Sequence, residues 1–279
     1  MKPDWTVTTD DGVVLGAAVT EPAGEAVADV LLLHAMMVDA RALDRPVGAG
    51  LASTLAARGF RVHRADLRGR GMSPCPMGWT YDDLVYRDVP ALVSHLGRPW
   101  VVGHSLGGHV TAASWASGHV DLEGLVGLAA NAWLRDAEPD RLRRAKKALG
   151  VLALDVAARG LGRLPARRIG MGPVDESGPY AHDLASFWRR GWRDREGRDW
   201  EADLASLRGR MLFVASDGDA LLAHPAGAEG FVRHAPNVEL LRVRHGDFGL
   251  ARAPDHMGLA VDGASRPVWE AVADWMLHA

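Results

Sequence analysis

The sequence predicts a protein of the α/β class, with a doubly wound, mostly parallel sheet of eight strands and a helical insertion. Three observations support this fold class. Short, continuous apolar runs alternate with helix-like segments, a pattern typical of sheets that are covered by helices on both faces. A hairpin signal precedes this alternation, and residues 131–207 interrupt it.

The first half of the chain contains the hairpin and most of the predicted parallel strands. An Asp-Gly turn at 11–12 joins apolar runs at 6–9 and 13–19, which is a strong hairpin signal. Pro90 lies inside one predicted helix and is expected to kink it. The other strands predicted in this half are 30–34, 60–65, 99–103 and 122–128, and the helices are 51–58, 82–96 and 106–117.

The second half contains the insertion and the return to the core. Residues 131–207 have helix-like pieces, many arginines and several tryptophans but no clear strand. They are therefore predicted to be a helical insertion between core segments 1–130 and 208–279. Later elements are predicted as strands at 211–215 and 238–243 and helices near 226–234 and 267–277.

Composition narrows the functional class. Hydrophobic residues make up 48% and charged residues 24% of the chain, as in ordinary globular proteins. A formal net charge of -3 gives no reason to expect nucleic acid or an anionic membrane as a partner. No apolar leader is apparent and the apolar runs are short, so a cytoplasmic protein is expected. No clustered ligand spacing indicates a metal, and no organic cofactor is implied.

Residues 103–107 read Gly-His-Ser-Leu-Gly, with an apolar strand before them and a predicted helix after them. This is the strand–turn–helix context that a G-x-S-x-G nucleophile elbow requires. The turn exposes the Ser105 hydroxyl at a helix N-terminus, where free N–H groups favour developing negative charge. Ser105 is therefore the predicted nucleophile.

Acyl transfer also needs two N–H donors for the carbonyl oxygen. The first is expected from Leu106, directly after the nucleophile. The second is expected from the loop that follows strand 30–34, where Met36 is the candidate and Met37 the alternative. Backbone donors place little demand on side-chain identity.

The acid and the base are expected after the nucleophile, in that order. Asp219 and Asp217 both follow the strand 211–215, and Asp219 is preferred because Asp217 precedes a glycine and suits a turn. His245 and His256 both lie in loops where a base is plausible, and periodicity leaves both open. The histidines outside this region are interpreted as surface or packing residues.

These motifs together resemble the α/β-hydrolase superfamily from about residue 5 to the end, which implies that 131–207 is a cap. The turn at 66–73 is similar to the one after the fourth strand of that family, and 103–108 to its nucleophile elbow. Within it, the chain resembles a bacterial subgroup of predicted hydrolases related to serine aminopeptidases and esterases. The segments that carry this closer resemblance are 168–172, 247–250 and 256–259, followed by Trp269 and Trp275.

The resemblance implies that His256 is the base. The loop between strand 238–243 and the base is then longer than it would be for His245. The function expected is cleavage of a carboxylic ester, or a related acyl bond, of a small molecule through an acyl-enzyme intermediate. Acyl transfer to another acceptor and thioester hydrolysis use the same triad and stay open. A receptor that keeps the fold without turnover is the alternative from another class.

Two features of the insertion have two interpretations each. Trp188 and Trp192 would share a helix face, either as the roof of an acyl pocket or as packing against the core. A basic run at 141–147 would either attract an anionic substrate or, as is favoured, form a solvated helix face.

Overall fold

The computed structural model describes residues 1–278 and contains one large sheet and one small one. All strands except β7 and β8 belong to the large sheet, which has eight strands. The strands are β1 (Trp5–Thr8), β2 (Val14–Thr20), β3 (Asp29–Leu33), β4 (Arg61–Ala65), β5 (Trp100–His104), β6 (Gly124–Leu128), β7 (Arg163–Leu164), β8 (Glu176–Ser177), β9 (Met211–Ser216) and β10 (Val238–Val243).

Helices connect the strands and form most of the insertion. They are α1 (Leu51–Ala57), α2 (Tyr81–Asp83), α3 (Val89–Leu96), α4 (Leu106–Ala116), α5 (Arg141–Leu161), α6 (Gly178–Arg190), α7 (Trp200–Ser206), α8 (Pro225–Val232), α9 (Gly258–Val261) and α10 (Arg266–Leu277). Short 3-10 turns occupy Ala40–Asp44, Asp247–Gly249 and Gly263–Ser265. Between residues 1 and 278, no helix combines the length and the apolarity needed to cross a membrane.

The large sheet confirms the predicted fold class. Its strand order is β1-β2-β4-β3-β5-β6-β9-β10, and β2 pairs antiparallel with both β1 and β4. The remaining neighbours are parallel. The order of the strands reverses between β3 and β5, and such a switch point is where open α/β sheets bind ligands, beyond the carboxyl ends of the strands.

The central strands β3 and β5 are mostly apolar because helices cover both of their faces. Val30 and Leu32 of β3 belong to one buried cluster, whereas Leu31 and Leu33 belong to the cluster on the opposite face. Leu33 is also in register with Gly103 of β5. The loop after β3 and the turn after β5 therefore leave the sheet side by side.

The helical segment before β5 contains a wide turn in place of the expected kink. Thr80 begins it with a capping box formed with Asp83. A π turn at Leu84–Asp88 then precedes α3, which has Pro90 in its first turn. Proline has no N–H to donate, and its ring collides with the carbonyl four residues earlier. A wider turn at that point accommodates both effects.

The insertion packs tightly into the rest of the protein. Trp192 is fully buried, donates a hydrogen bond to the Tyr81 hydroxyl at 3.2 Å, and packs against Trp200 and Phe231. Trp188 is buried in the cluster that joins α5 to α6. Trp192 therefore packs against the core, whereas Trp188 packs within the insertion. The shared helix face that was expected for them is absent, because α6 ends at Arg190.

The basic run at 141–147 is only in part a solvated face, contrary to the favoured expectation. Lys147 is buried and donates to Glu138 at 3.0 Å, and Arg143 donates to the same carboxylate at 3.0 Å. Two of the five cations of this run therefore pair with Glu138 inside the protein, while Arg141 and Lys146 are exposed.

A two-residue pairing between β7 and β8 was not anticipated in the insertion. It pairs Arg163 with Ser177 and Leu164 with Glu176. Strands of this length are too short to show a period-2 pattern in sequence. The pairing places Glu176 in the interior, where its side chain is fully buried.

Candidate active site

The turn between β5 and α4 holds Ser105 in a left-handed conformation, with φ 51° and ψ -109°. Glycine is required on both sides of it. A Cβ added at Gly103 would lie 2.2 Å from the Gly108 nitrogen, and one at Gly107 would lie 2.5 Å from the Leu33 oxygen. The sequence thus forms the sharp elbow that presents the serine hydroxyl beyond the sheet edge.

The structure brings Ser105, His256 and Asp219 into one hydrogen-bonded chain. His256 Nε2 lies 3.1 Å from Ser105 Oγ, and His256 Nδ1 lies 2.6 Å from Asp219 Oδ2. Because the carboxylate only accepts, Nδ1 carries the proton and Nε2 accepts from the serine hydroxyl. Ser105 and His256 are 151 positions apart in sequence, so only the tertiary fold joins them.

Asp219 follows β9 and is held as a buried carboxylate. Its oxygens accept the N–H groups of Leu222 and Ala223, both at 2.8 Å. Burial by itself raises the pKa of Asp219, but the hydrogen bond and charge of His256 and the N–H groups of Ala223 and Leu221 outweigh it, and the net pKa is lowered. The group is therefore ionised at neutral pH and able to orient an imidazole.

The two alternative residues lie apart from this chain. Asp217 is exposed and forms a two-point contact with Arg242, with oxygen–nitrogen distances of 2.6 and 3.1 Å. His245 is exposed in the turn after β10. Neither is placed to exchange a proton with Ser105 in this structure.

His104 is a site residue that the sequence interpretation missed, since it was grouped with packing histidines. Its Nε2 donates to the backbone oxygen of His256 at 3.0 Å, and so ties the base-bearing loop to the end of β5. Burial first, and the charge of His256 second, lower the pKa of His104 to about 3. It is therefore neutral, with one donor nitrogen. The sequence offered one signal for this role, because His104 is the variable residue directly before Ser105 in the G-x-S-x-G motif.

The loop after β3 supplies the candidate oxyanion donors. Met37 N–H donates to the Glu176 carboxylate at 2.5 Å. Met36 N–H and Leu106 N–H, in contrast, have no protein acceptor within residues 1–278. Unpaired N–H groups beside the nucleophile turn are what an oxyanion site requires. This contrast favours Met36 over Met37 as the second donor.

His34 begins this loop and is the second histidine with a local role at the site. It is wholly buried, and burial lowers its pKa. Its Nδ1 lies 2.7 Å from the Ala35 oxygen, and its Nε2 accepts the Leu67 N–H at 3.2 Å. The Ala35 carbonyl belongs to the peptide whose other end is Met36 N–H, so His34 orients that peptide.

The structure was also searched for a metal site and for clefts away from Ser105. Within residues 1–278, no group of three or more His, Cys, Asp and Glu side chains is arranged to hold a metal ion. A cleft of about 660 Å³ lies elsewhere, and Ser105, His256 and Asp219 are not among the residues that line it. Its lining residues are Asp82, Asp83, Tyr86, Arg87, His119, Asp194, Arg195, Glu196 and Arg198.

Comparison with known proteins places this geometry in context. A family model described as serine aminopeptidase, S33, matches residues 24–190, which is more than half of the chain. A search of curated protein sequences finds no match. A hydrolase from Pseudomonas aeruginosa has a similar structure, with a TM-score of 0.64 and 21% identity, over 99% of this chain and 98% of that one.

Two other solved structures share the architecture. A soluble variant of monoglyceride lipase from Saccharomyces cerevisiae, in complex with a substrate analog, has a TM-score of 0.71 and 16% identity, over 99% of this chain and 95% of that one. The enol-lactonase from Burkholderia xenovorans has a TM-score of 0.65 and 18% identity, over 99% and 100%. At these identities the likeness concerns the fold.

Proposed function

Because this chain belongs to the serine aminopeptidase family S33 of α/β hydrolases, we propose that it hydrolyses a carboxylic ester, or related acyl bond, of a small molecule. The observation that carries the proposal is the hydrogen-bonded chain from Ser105 through His256 to Asp219. Solved structures with the same fold include an esterase, a monoglyceride lipase and an enol-lactonase. An ester substrate agrees with this range.

The proposed reaction starts with attack of Ser105 Oγ on the substrate carbonyl carbon. His256 Nε2 takes the hydroxyl proton, and Asp219 stabilises the imidazolium that forms. The N–H groups of Met36 and Leu106 bind the oxyanion of the tetrahedral intermediate. The intermediate collapses when His256 gives its proton to the leaving alcohol, which departs and leaves an acyl-serine.

The second half of the reaction repeats these roles with water. His256 takes a proton from water, the hydroxide attacks the acyl carbon, and the oxyanion occupies the same two N–H groups. Collapse returns the proton to Ser105 Oγ and releases the carboxylic acid. The strained conformation at Ser105 holds its Oγ on the side of the turn that faces the imidazole.

The insertion is proposed to act as the cap that selects the substrate, over residues 131–207. It closely approaches the loop that follows β3, where Val174 N–H donates to Met37 O at 3.1 Å. Loops and insertions placed over a rigid scaffold commonly set specificity. The size and polarity of the acyl group are therefore expected to depend on this segment.

The test is stoichiometric labelling by a fluorophosphonate, followed by hydrolysis of p-nitrophenyl esters of graded chain length. We expect one phosphonyl group per chain, located on Ser105 by peptide mapping, because only an activated serine reacts rapidly with this reagent. Turnover is expected on at least one ester, and labelling is expected to abolish it. A folded protein that neither reacts with the fluorophosphonate nor hydrolyses any of the esters would favour the receptor alternative. Product formation that needs an added alcohol would favour acyl transfer.

Replacement of Asp219 by Asn is expected to lower kcat by about 10³- to 10⁴-fold with little change in KM. An amide that donates to Nδ1 favours the wrong imidazole tautomer. The matched control is Asp217→Asn, which removes only an exposed pair with Arg242 and should stay within about threefold of wild type. Steady-state kinetics on one ester measures both variants. A large loss in Asp217→Asn with an active Asp219→Asn would reverse the two assignments.

A further inference from the structure

We propose that Glu176 is a positioning residue for the oxyanion site, and that the insertion orients Met36 N–H through it. This inference rests on the proposed function. Its physical basis is a set of contacts that fixes both peptide groups flanking Met36, one from the core and one from the insertion.

The insertion holds the two peptide groups on the C-terminal side of Met36, Met36–Met37 through Glu176 and Met37–Val38 through Val174. Glu176 Oε1 accepts the Met37 N–H, and Val174 N–H donates to the Met37 oxygen at 3.1 Å. Gly172 passes so close that an added Cβ would lie 2.4 Å from that oxygen. Met37 itself has φ 63°, a conformation that a methionine adopts only when its surroundings impose it.

The core holds the peptide on the N-terminal side. His34 Nδ1–H donates to the Ala35 oxygen at 2.7 Å, which sets the plane that contains Met36 N–H. The His34 oxygen in turn accepts Gly107 N–H at 3.2 Å, so this end of the loop is joined to the nucleophile turn. Met36 is thus held between a contact internal to the core and one supplied by the insertion.

Glu176 is a carboxylate kept in the interior by one cation. Its Oε2 accepts from Arg70 Nη2 at 2.6 Å, and the Arg70 guanidinium lies 4.4 Å from the centre of the Trp79 ring. Burial raises the pKa of Glu176, and Arg70 and the Met37 N–H oppose that rise. A buried ion pair often stabilises a protein no more than well-packed apolar residues of similar volume would. This one places a strong acceptor at the Met37 amide.

The experiment compares Glu176→Gln with wild type on p-nitrophenyl esters, with rates expressed per active site titrated by fluorophosphonate. Glutamine has one oxygen in place of the two carboxylate oxygens that contact Met37 and Arg70. One of these two donors would therefore face the NH₂ group of the amide. We expect kcat to fall about 10- to 100-fold with KM within about threefold, since a misdirected oxyanion donor costs that much. The inhibition constant of a trifluoromethyl ketone, whose serine adduct carries an oxyanion, should rise by the same factor as kcat/KM falls.

Asp183→Asn is the matched control. Asp183 is also buried in the insertion, accepts Tyr81 N–H at 3.0 Å, and pairs with Arg195 at 3.0 Å. It has no contact with the loop that carries Met36. The control should lose stability comparably while kcat per titrated site and the ketone inhibition constant stay at wild-type values. Equal losses in both variants would overturn the proposal.

Hydrogen exchange of the peptide 34–38 gives a readout that does not depend on activity. Glu176→Gln should exchange faster there than wild type, and Asp183→Asn should not. Unchanged exchange overturns the inference even if the protein is an active esterase, whereas a wild type inactive on all esters refutes the proposed function alone. If Glu176→Gln fails to fold, the double variant Arg70→Met, Glu176→Met removes both buried charges together with the acceptor of Met37 N–H, and carries the same expectation.

Discussion

Ser105→Ala is expected to lower kcat for p-nitrophenyl ester hydrolysis by about 10⁴- to 10⁶-fold, because no covalent intermediate can form without the hydroxyl. The remaining rate should come from the oxyanion donors and from substrate binding alone. KM should change little, since the hydroxyl makes its strong interaction only in the transition state. Fluorophosphonate labelling should be lost completely.

Ser114→Ala is the control for this variant. Ser114 lies on α4, the same helix that begins after Ser105, and its hydroxyl is buried without a partner in the described part of the chain. Its removal should leave kcat and labelling at wild-type levels. Retention of more than about one hundredth of the wild-type kcat in Ser105→Ala would point to another nucleophile.

His256→Ala is expected to reduce kcat by a similar factor, about 10⁴- to 10⁶-fold. Its ring is the only side chain that joins Ser105 to Asp219 among residues 1–278. The variant leaves the serine without a base and Asp219 without its partner. Added imidazole should restore part of the activity, because the space vacated by the ring admits it and Asp219 remains to orient it.

His245→Ala decides between the two histidines that the residue pattern left open. His245 is exposed and lies outside the Ser105–Asp219 chain, so its loss should leave kcat within about threefold of wild type. Circular dichroism and thermal melting should show both variants folded. An inactive His245→Ala beside an active His256→Ala would require a different path of the loop 244–257 in the working enzyme.

Local signals predicted the architecture well because they act over a few residues. The apolar runs at β3, β5 and β9 indicate strands buried on both faces, and in the structure each of them is buried and has a hydrogen-bonded strand on both sides. The glycines at 103 and 107 indicate a tight turn, and the backbone there has no room for a Cβ. Such patterns reflect backbone sterics and burial, which neighbouring residues determine.

The insertion was predicted less completely because its contacts are with the core. Helices were expected there, and α5, α6 and α7 are present. β8 pairs with β7, and the buried Glu176 side chain that it carries contacts Arg70 and Met37, residues that are distant in sequence. Lys147 is a different case, because its partner Glu138 lies within the insertion, and only the fold shows that this lysine of a charged run is buried.

The sequence by itself determined the fold class, the nucleophile turn, and the small set of residues from which an acid, a base and an oxyanion donor would be drawn. Only the tertiary structure decided which of those residues meet. It brings His256, and not His245, to Ser105, and it engages Met37 N–H while Met36 N–H has no protein acceptor among residues 1–278. The physical reason is that turn and strand preferences are local, whereas the path of a loop is set by long-range hydrogen bonds, such as those from His104 and Ser216 to the segment carrying His256.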